Sequence, residues 1–277
     1  MGVTSVAAAS VQPVLRWAGG KRWLLSQLAE VLGPLEINNY HEPFLGGASV
    51  FLGLSPSGKS YLSDLNAELI ETYERIRDDI DGVALALRCH VNTAEHYYTV
   101  RANVPENPSI RAARFIYLNH TSFNGIYRVN LKGIYNVPFG RRPKPNIPSR
   151  VQLLALSERL QGVELSVSDF EEALSNVTGG DLVFLDPPYT VAHNNNGFVR
   201  YNQRLFSFDD QKRLSGVLDY IRERDAFYIM TNAAHESIAA LFEKGDSRIE
   251  TSRRNAVGGR SAVRGSAVEY LFTNVPQ

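Results

Sequence analysis

The segment DLVFLDPPYT, residues 181–190, ends a short apolar run in a carboxylate, two prolines and an aromatic ring. The run Leu182–Leu185 is typical of a strand that is buried on both faces of a parallel sheet. Pro187 and Pro188 cannot extend a sheet ladder, because proline has no N–H to donate. The segment is therefore either an ordinary loop after a strand or an active site, built on Asp186 and Tyr189, at the carboxyl edge of a sheet.

Short strands alternate with helices on both sides of this segment, which predicts an α/β protein with a mainly parallel sheet. Residues 79–150 differ, because helices there lead into a loop and hairpin rich in Asn, Gly, Pro, aromatic and basic residues. We therefore predict a loose terminus at 1–12, an α/β domain at 13–78 and 151–277, and a mainly helical insertion at 79–150. Helices are expected at 24–32, after 66, and at 82–101, 109–119, 150–161, 169–177 and 209–224. Strands are expected near 40, 61, 163, 181 and 226, with a last one at 267–274 that is a candidate for antiparallel pairing.

The composition excludes several classes of protein. The 277 residues include one cysteine, Cys89, so neither a disulfide framework nor a cysteine-based zinc site can form within one chain, and no metal is expected. No apolar run approaches the ~18 residues of a membrane helix. Residues 1–15 contain no Lys or Arg, so they lack the basic start of a signal peptide.

Charge is balanced over the whole chain but not along it. Lys plus Arg and Asp plus Glu both total 29, which argues mildly against a nucleic-acid binder. Between Glu106 and Glu158, however, no acidic residue interrupts eight basic ones. This block is either a polyanion site or a basic surface that acidic residues balance elsewhere in space. Its members are Arg111, Arg114, Arg128, Lys132, Arg141, Arg142, Lys144 and Arg150.

Two glycine-containing turns are candidates for ligand binding. In EPFLGGAS, residues 42–49, the glycines allow the backbone to approach a ligand, and the helix that follows offers N–H groups. Asp64 lies 18 residues after Gly46, near the position where a doubly wound fold holds ribose hydroxyls, although a helix cap would explain it equally well. In RWAGGK, residues 16–21, a wide ring, a flexible turn and one cation suit a flat ligand with a carboxylate tail, or else a core tryptophan before a loop.

The DPPY sequence suits the recognition of an exocyclic amine. The Asp186 carboxylate and the Pro187 carbonyl can accept the two N–H donors of such an amine, and the prolines keep backbone donors out of the site. The nitrogen lone pair then points out of the plane of the base. Tyr189 offers a face on which the base can stack.

Five motifs stand in the order found in Dam-type (D12 class, alpha group) DNA adenine-N6 methyltransferases, and the chain resembles that family on them. They are RWAGGK, EPFLGGASVF, SDLN, SFNGIYRVNLKGIYNVPFG and LDPPY, and the resemblance extends from Arg16 to the carboxyl end. The resemblance implies a Rossmann-like, S-adenosylmethionine-dependent methyltransferase sheet in which the insertion is a target-recognition subdomain.

The resemblance also implies roles for individual residues. Asp186, Pro187, Pro188 and Tyr189 match the catalytic motif. Asp64 resembles a ribose ligand. The implied cofactor-binding positions, to which Asp186 also belongs, are Trp17, Ala18, Gly19, Gly20, Lys21, Glu42, Pro43, Phe44, Gly46, Gly47, Asp64, Asn66, Asp169 and Phe170. Trp17 and Lys21 would serve the methionine end, and Asp169 with Phe170 the adenine ring.

Contacts to DNA are implied for Arg16, Asn124, Arg128, Lys132, Arg141 and Arg142. Asn124 matches a residue that intrudes into the duplex, and Arg128 matches one that reads a guanine. Arg16 and Arg142 depart from the Lys and the aromatic residue of the best-known members, so the target remains open. Ala48 replaces a common glycine of the cofactor turn, and we expect it to be tolerated with a negative φ.

The implied function is site-specific methylation of adenine N6 in a base flipped from double-stranded DNA, with GATC as the family's best-known target. Cytosine N4 or an adenine in RNA would also present an exocyclic amine, and a non-catalytic DNA-binding module is a third reading. We expect a cytoplasmic, nucleoid-associated enzyme that does not bind membranes. It would be a monomer in solution, with two copies on a palindromic site as an alternative.

Overall fold

The structure is a computed structural model that describes residues 11–189, 206–254 and 266–276. Most of the expected loose terminus at 1–12 lies outside these ranges. The segment 190–205 after DPPY also lies outside them, and with it residues 193–197 (HNNNG), for which the sequence predicts a loop. The helices are α1 (Leu25–Leu32), α2 (Ser49–Leu54), α3 (Ala67–Asp78), α4 (Ile80–Arg88), α5 (Ala94–Ala102), α6 (Pro108–Thr121), α7 (Arg150–Arg159), α8 (Phe170–Ala173), α9 (Phe208–Arg222) and α10 (Glu236–Phe242). The strands are β1 (Tyr40–Glu42), β2 (Ser60–Asp64), β3 (Glu164–Val167), β4 (Leu182–Leu185), β5 (Phe227–Ala233), β6 (Ser247–Arg254) and β7 (Ser266–Thr273).

The strands form one seven-stranded sheet in the order β3-β2-β1-β4-β5-β7-β6. The first five are parallel, whereas β7 is antiparallel to both β5 and β6. The predicted α/β class is therefore confirmed, and the order 3-2-1-4-5 is that of a Rossmann-like sheet. Strands β2 and β3 lie on one side of β1, whereas β4 and β5 lie on its other side, so the order of the strands switches between β1 and β4. Ligands of doubly wound folds bind beyond the carboxyl ends of the strands at such a switch point.

Two apolar cores, one on each face, hold the sheet between layers of helices. Side chains alternate along β4, so that Leu182 and Phe184 enter one core while Val183 and Leu185 enter the other. The first core lies under α1–α7, and the second lies under α8–α10. Because β4 is buried on both faces, the position of the residue that follows it is fixed by packing from two sides.

The helices of segment 79–150 do not have a core of their own. Val83 and Leu87 of α4 and Ile116 of α6 belong to the same cluster as Leu69 and Ile70 of α3. The division of the chain into a catalytic domain and an inserted subdomain therefore stays a prediction about function. No helix in the described ranges is both long enough and apolar enough to span a bilayer.

Two predicted helices differ in extent from the structure, and two further elements were not predicted. The expected helix at 82–101 is two helices, because Thr93 adopts an extended conformation and its side chain caps α5 at His96 N. The expected helix at 169–177 is only the single turn α8. Helix α10 and strand β6 were not predicted, since the alternation of polar and apolar residues in β6 is weak and the strand pairs only with β7.

Glu42 ends β1 as a buried carboxyl group that is 3% exposed. Its Oε2 accepts hydrogen bonds from Tyr40 Oη at 2.7 Å and from Phe51 N at 3.0 Å. Burial raises the pKa of Glu42 from 4.5 to about 8, although both hydrogen bonds oppose the shift. The folded chain therefore keeps this group protonated near neutral pH, whereas the unfolded chain does not.

Replacing Glu42 by Gln should change how stability depends on pH. Between pH 4.5 and about 8 the folded state holds a proton that the unfolded state has released, so wild-type stability falls as pH rises through this window. The slope contributed by this group is at most about 1.4 kcal/mol per pH unit. Urea unfolding at pH 6 and pH 8 should show that the variant gains stability over wild type as pH rises. A difference between the two proteins that does not change with pH would contradict the buried neutral carboxyl.

Candidate active site

Asp186 is the first residue after β4, so the buried strand holds its carboxylate at the carboxyl edge of the sheet. Oδ1 accepts hydrogen bonds from Thr231 Oγ1 on β5 at 2.7 Å and from Lys21 Nζ at 2.8 Å. Oδ2 makes no hydrogen bond within the described ranges, and the side chain keeps 20% of its surface exposed. The carboxylate is therefore fixed through one oxygen and open at the other.

Lys21 places a buried ammonium group between two carboxylates. Its side chain is 3% exposed, and Nζ lies 2.8 Å from Asp186 Oδ1 and 3.6 Å from Glu269 Oε2. Nζ also donates to the Gly19 carbonyl at 3.0 Å and lies 4.8 Å from the centroid of the Tyr189 ring. A buried cation is stable only when it is paired, and here Asp186 and Gly19 accept hydrogen bonds from Nζ while Glu269 adds a longer ion-pair contact.

Tyr189 is held by its hydroxyl group, which donates to Glu269 Oε2 at 2.8 Å. Burial raises the pKa of Tyr189 well above its usual value, and the charges of Asp186 and Glu269 raise it further. The phenol therefore stays protonated and remains a donor. Pro187, which is buried, and Pro188, which is half-buried, separate Asp186 from Tyr189 in the chain. Because proline has no N–H, neither residue adds a backbone donor to the site.

Burial raises the pKa of Asp186, while the Lys21 ammonium and the Thr231 hydroxyl oppose that shift. The nearby Glu269 carboxylate raises it as well. Above this raised pKa both oxygens of Asp186 are acceptors, and below it the group can no longer accept through the protonated oxygen. Lys21 thus favours the ionised form that acceptance from an amine requires.

The glycine turn after β1 is shaped by Trp17. The Trp17 ring stacks on Tyr127 at 5.4 Å between centroids and lies against the turn. A Cβ at Gly46 would lie 2.7 Å from Trp17 Cδ1, and one at Gly47 would lie 3.1 Å from Trp17 Cβ. Gly46 also has a φ of +47°, so both conformation and space require glycine there. The exposed loop Ala18–Gly20 connects Trp17 to Lys21, whose backbone N donates to Ser49 Oγ.

Ala48 differs from the expectation of a negative φ. Its φ is +56°, in the left-handed region, and its backbone N donates to the Leu45 carbonyl at 2.8 Å. The tight turn from Leu45 into α2 imposes this conformation, which costs an alanine about 1–2 kcal/mol. The common glycine at this position would avoid that strain.

Asp64 ends β2 beside the same turn. Its two oxygens accept from Gly46 N and Asn66 N, both at 3.0 Å. Burial raises the pKa of Asp64, and these two backbone hydrogen bonds oppose the shift. Asn66, and not Asp64, caps α3 by accepting from Leu69 N, so the alternative reading of Asp64 as the helix cap is wrong. Each Asp64 oxygen retains lone-pair capacity for another donor.

Phe44, Phe170 and Phe206 form an aromatic cluster beyond β1. Phe44 stacks on Phe170 at 5.5 Å, and Phe206 meets Phe44 edge-on at 5.7 Å. Phe170 is 3% exposed and is covered on one side by the guanidinium group of Arg213, 4.7 Å away. Asp169 also pairs with Arg213, at 2.7 Å. Pro43, which precedes Phe44 in the chain, is also buried. Asp169 and Phe170, the candidate adenine contacts, are both in contact with Arg213.

Arg16 connects the glycine turn to the segment that was predicted to contact DNA. Its backbone N and O bond the side chain of Asn119 on α6, at 2.7 and 2.8 Å. A Cβ at Gly125 would lie 2.6 Å from Arg16 Nε, so the guanidinium group packs against that turn. Asn124, directly before Gly125, is exposed with a φ of +57°. The structure therefore brings Arg16 to the turn that carries Asn124.

The hairpin that follows projects basic side chains outward. Val129 and Tyr135 form an isolated antiparallel bridge, and Asn130 Oδ1 accepts from the backbone N atoms of Lys132 and Ile134. Arg128 is exposed, and its Nε donates to Asn136 Oδ1 at 2.8 Å. Lys132 lies exposed at the tip. This geometry presents Arg128 and Lys132 from one rigid turn.

The basic block is partly balanced by acidic residues from other segments of the chain, as one of its two readings allowed. Acidic residues earlier in the chain pair with three of its members: Glu71 with Arg111, Glu68 with Arg114, and Asp81 with Arg150. The other members make no ion pair within the described ranges. They are Arg128, Lys132, Arg141, Arg142 and Lys144.

Arg141 and Arg142 follow the bridge between Ser122 and Phe139. Arg141 has a φ of +52°, which an arginine adopts only when its surroundings impose it. The side chain of Asn92 fixes the next residue, because its Nδ2 donates to the Arg142 carbonyl at 2.8 Å. Arg141 is exposed, and Arg142 is half-buried.

Four residues of this region were not predicted from the sequence: Thr231, Glu269, Arg213 and Asn92. Thr231 and Glu269 reach Asp186 and Tyr189 only because β5 lies beside β4 in the sheet and β7 lies beside β5. A carboxylate in the apolar strand AVEYLFTN was the available signal for Glu269, since charged residues are rarely buried without a partner. Among the described residues no group of three or more His, Cys, Asp and Glu side chains could hold a metal ion.

Comparison with known proteins gives a consistent family assignment. The family model described as D12 class N6 adenine-specific DNA methyltransferase matches residues 17–257. The type II methyltransferase M1.LlaDCHI of Lactococcus lactis subsp. cremoris is 32% identical over 96% of this chain and 96% of its own length. The type II methyltransferase M.MjaIII of Methanocaldococcus jannaschii is 35% identical over 80% of this chain and 84% of its own. The DNA adenine methylase of Escherichia coli K12 is 33% identical over 79% of each chain.

The close contact between Trp17 and the glycine turn predicts the effect of Gly46→Ala. The substitution adds left-handed strain and a Cβ within 2.7 Å of the indole, and should lower the free energy of unfolding by about 2–4 kcal/mol. Gly133→Ala is the matched control, because Gly133 also has a positive φ of +73° but has nothing within 4 Å of the added Cβ. Urea unfolding followed by tryptophan fluorescence measures both. Equal losses in the two variants would show that Trp17 does not constrain the turn.

Proposed function

Because the chain belongs to the D12 class of N6-adenine-specific DNA methyltransferases, we propose that methyl transfer takes place at Asp186, Pro187 and Tyr189 with S-adenosylmethionine as methyl donor. The chain is an adenine-N6 DNA methyltransferase with a Rossmann-like sheet. One observation supports this site above all others: Asp186 lies at the switch point of the sheet with one oxygen held and the other open.

The open oxygen of Asp186 and the Pro187 carbonyl accept the two hydrogens of the adenine amino group. Orienting both N–H bonds in this way directs the nitrogen lone pair out of the plane of the base, where it can attack. The prolines contribute no N–H that would compete for these acceptors. Tyr189 stacks on the base through the ring face that Lys21 does not cover.

The residues near the glycine turn fit S-adenosylmethionine. The bare backbone at Gly46 and Gly47 allows close approach, and Asp64 retains acceptor capacity for ribose hydroxyls. The half-buried ring of Phe44, backed by the buried Phe170, offers an aromatic surface for adenine. When bound, the cofactor supplies an electrophilic methyl group on a sulfonium. Asp169 and Asn66 border this surface from the ends of β3 and β2.

Lys21 acts on Asp186 rather than on a cofactor carboxylate in this proposal. Its ammonium group already has acceptors at Gly19, Asp186 and Glu269. It stabilises the ionised form of Asp186 and keeps Oδ1 in place, so that the other oxygen meets the amine. Trp17 and the loop Ala18–Gly20 remain for the methionine end.

The substrate is double-stranded DNA, and residues 79–150 are the target-recognition part of the enzyme. Flipping the adenine out of the stack costs a few kcal/mol, which Asn124 offsets by filling the gap. Lys132, Arg141 and Arg142, which make no ion pair within the described ranges, hold phosphates, while Arg16 and Arg128 read base edges. We propose GATC as the target, a monomer in solution, and a cytoplasmic location with the nucleoid.

Asp186→Ala tests the reaction. Loss of the oriented acceptor should reduce methyl transfer by at least about 10²–10³-fold, because the amine is no longer aligned, while DNA affinity stays near that of wild type. DNA methylated by the wild-type enzyme and digested to nucleosides should contain N6-methyladenine. The wild-type enzyme should form neither N4-methylcytosine nor methylated RNA.

The control for Asp186→Ala is Asp209→Ala, which removes an exposed carboxylate at the start of α9. Near-normal turnover of the Asp186 variant, or a different modified base, would refute the proposed function. Absence of S-adenosylmethionine binding to the wild type in calorimetry would point to a non-catalytic DNA-binding protein instead.

Two substitutions in the hairpin separate base reading from phosphate binding. Arg128→Ala should relax discrimination at one base pair by about 1–3 kcal/mol, whereas Lys132→Ala should weaken binding to all sequences alike. Sequencing modified adenines in a plasmid from a methylation-free host that expresses each variant measures the site preference. A preference that Arg128→Ala leaves unchanged would remove Arg128 from base recognition.

A further inference from the structure

We propose that Glu269 is a positioning residue of methyl transfer, which anchors the Tyr189 ring through its hydroxyl group. The inference rests on the proposed function, because it concerns the ring on which the flipped base would stack. Glu269 lies 80 residues beyond Tyr189 in the chain and on a different strand, so the contact depends on the sheet order.

The antiparallel direction of β7 brings Glu269 to the site. In register, it pairs with Ala233 at the carboxyl end of β5 and with Thr251 of β6. The residue is only 7% exposed, although it is a carboxylate on a mostly apolar strand. Burying such a group is costly unless it is paired, so its presence calls for partners that make use of the charge.

Both partners of the Glu269 side chain within the described ranges belong to the proposed active site. Its Oε2 accepts from Tyr189 Oη at 2.8 Å and lies 3.6 Å from Lys21 Nζ. A residue with a purely structural role in β7 would contact neighbours in its own sheet or core. Glu269 instead links the hydroxyl of the stacking ring to the cation that holds Asp186.

The anchor determines which face of Tyr189 is available. The hydroxyl is the one polar atom of the side chain, so fixing it limits both tilt and rotation of the ring. Lys21 lies 4.8 Å from the ring centroid and covers one face. With the hydroxyl bound and one face covered, the other face is presented to the base in a single orientation, which lowers the entropy lost on stacking.

A double-mutant cycle tests the anchor. Tyr189→Phe keeps the ring and removes the hydroxyl, and Glu269→Ala removes its acceptor, so each should lower kcat about tenfold with little change in the KM for S-adenosylmethionine. Both changes break the same hydrogen bond, so the double variant should also lose about tenfold rather than about a hundredfold. Glu269→Gln keeps an acceptor oxygen and should recover much of the activity that Glu269→Ala loses.

A spectroscopic readout makes the test independent of turnover. A duplex with 2-aminopurine in place of the target adenine reports whether the flipped base stacks, and the Glu269→Ala complex should fluoresce more brightly than the wild-type complex at saturating protein. Glu250→Ala is the control, because Glu250 is an exposed glutamate on the adjacent strand β6. Circular dichroism and thermal unfolding show whether each variant is folded.

Three results would overturn the assignment: multiplying losses in the double variant, a Glu269→Gln variant as impaired as Glu269→Ala, or unchanged 2-aminopurine fluorescence. If Glu269→Ala does not fold, Tyr189→Phe decides, because a kcat and a 2-aminopurine fluorescence equal to those of wild type in that variant would overturn the assignment. These outcomes are separate from failure of the proposed function, which would appear as a wild-type enzyme that does not methylate adenine N6.

Discussion

The buried Lys21 ammonium group, shared between Asp186 and Glu269, is the interaction on which the arrangement of the site depends. It joins three segments that are distant in the chain: the loop before α1, the end of β4, and the antiparallel strand β7. Removing a cation from water costs several kcal/mol, and good geometry with satisfied donors is needed to offset that cost. Here the Gly19 carbonyl completes the set of acceptors, so the charge can remain inside and hold the carboxylate in its ionised form.

Much of the fold follows from local pattern. The apolar run of β4, the glycine turn after β1 and the spacing to Asp64 were sufficient to predict a parallel sheet with a site at its carboxyl edge, and the sheet order confirms the fold class. The edge position of Asp186 was predictable because a proline pair cannot remain in a central strand. Predictions failed at Ala48, whose left-handed φ is imposed by the whole turn and not by the residue itself.

Features that depend on pairing between distant segments could not be predicted. Nothing in AVEYLFTN shows that it lies beside β5, so Glu269 could not be connected with Tyr189 from the sequence alone. The net charge around the basic block could not be predicted for a related reason. Its charge was counted along the chain, but α3 and α4 pack beside it and supply Glu71 and Asp81 to two of its arginines. A count of charges in sequence therefore overestimates the field that a polyanion would meet.

The short stretch from Arg16 to Lys21 explains how DNA recognition and chemistry can be kept in register. At one end, the Arg16 backbone is fastened to Asn119 while its side chain packs on the Gly125 turn beside the residue proposed to enter the duplex. In the middle, Trp17 lies on the glycine turn proposed for the cofactor. At the other end, Lys21 holds Asp186. Close-packed contacts transmit displacement rather than absorb it, so a shift of the Gly125 turn would act on Arg16 and, through the chain, on Trp17 beside the glycine turn. Lys21 is held separately by its contacts to Asp186 and Gly19, and the exposed loop Ala18–Gly20 links these two anchored ends.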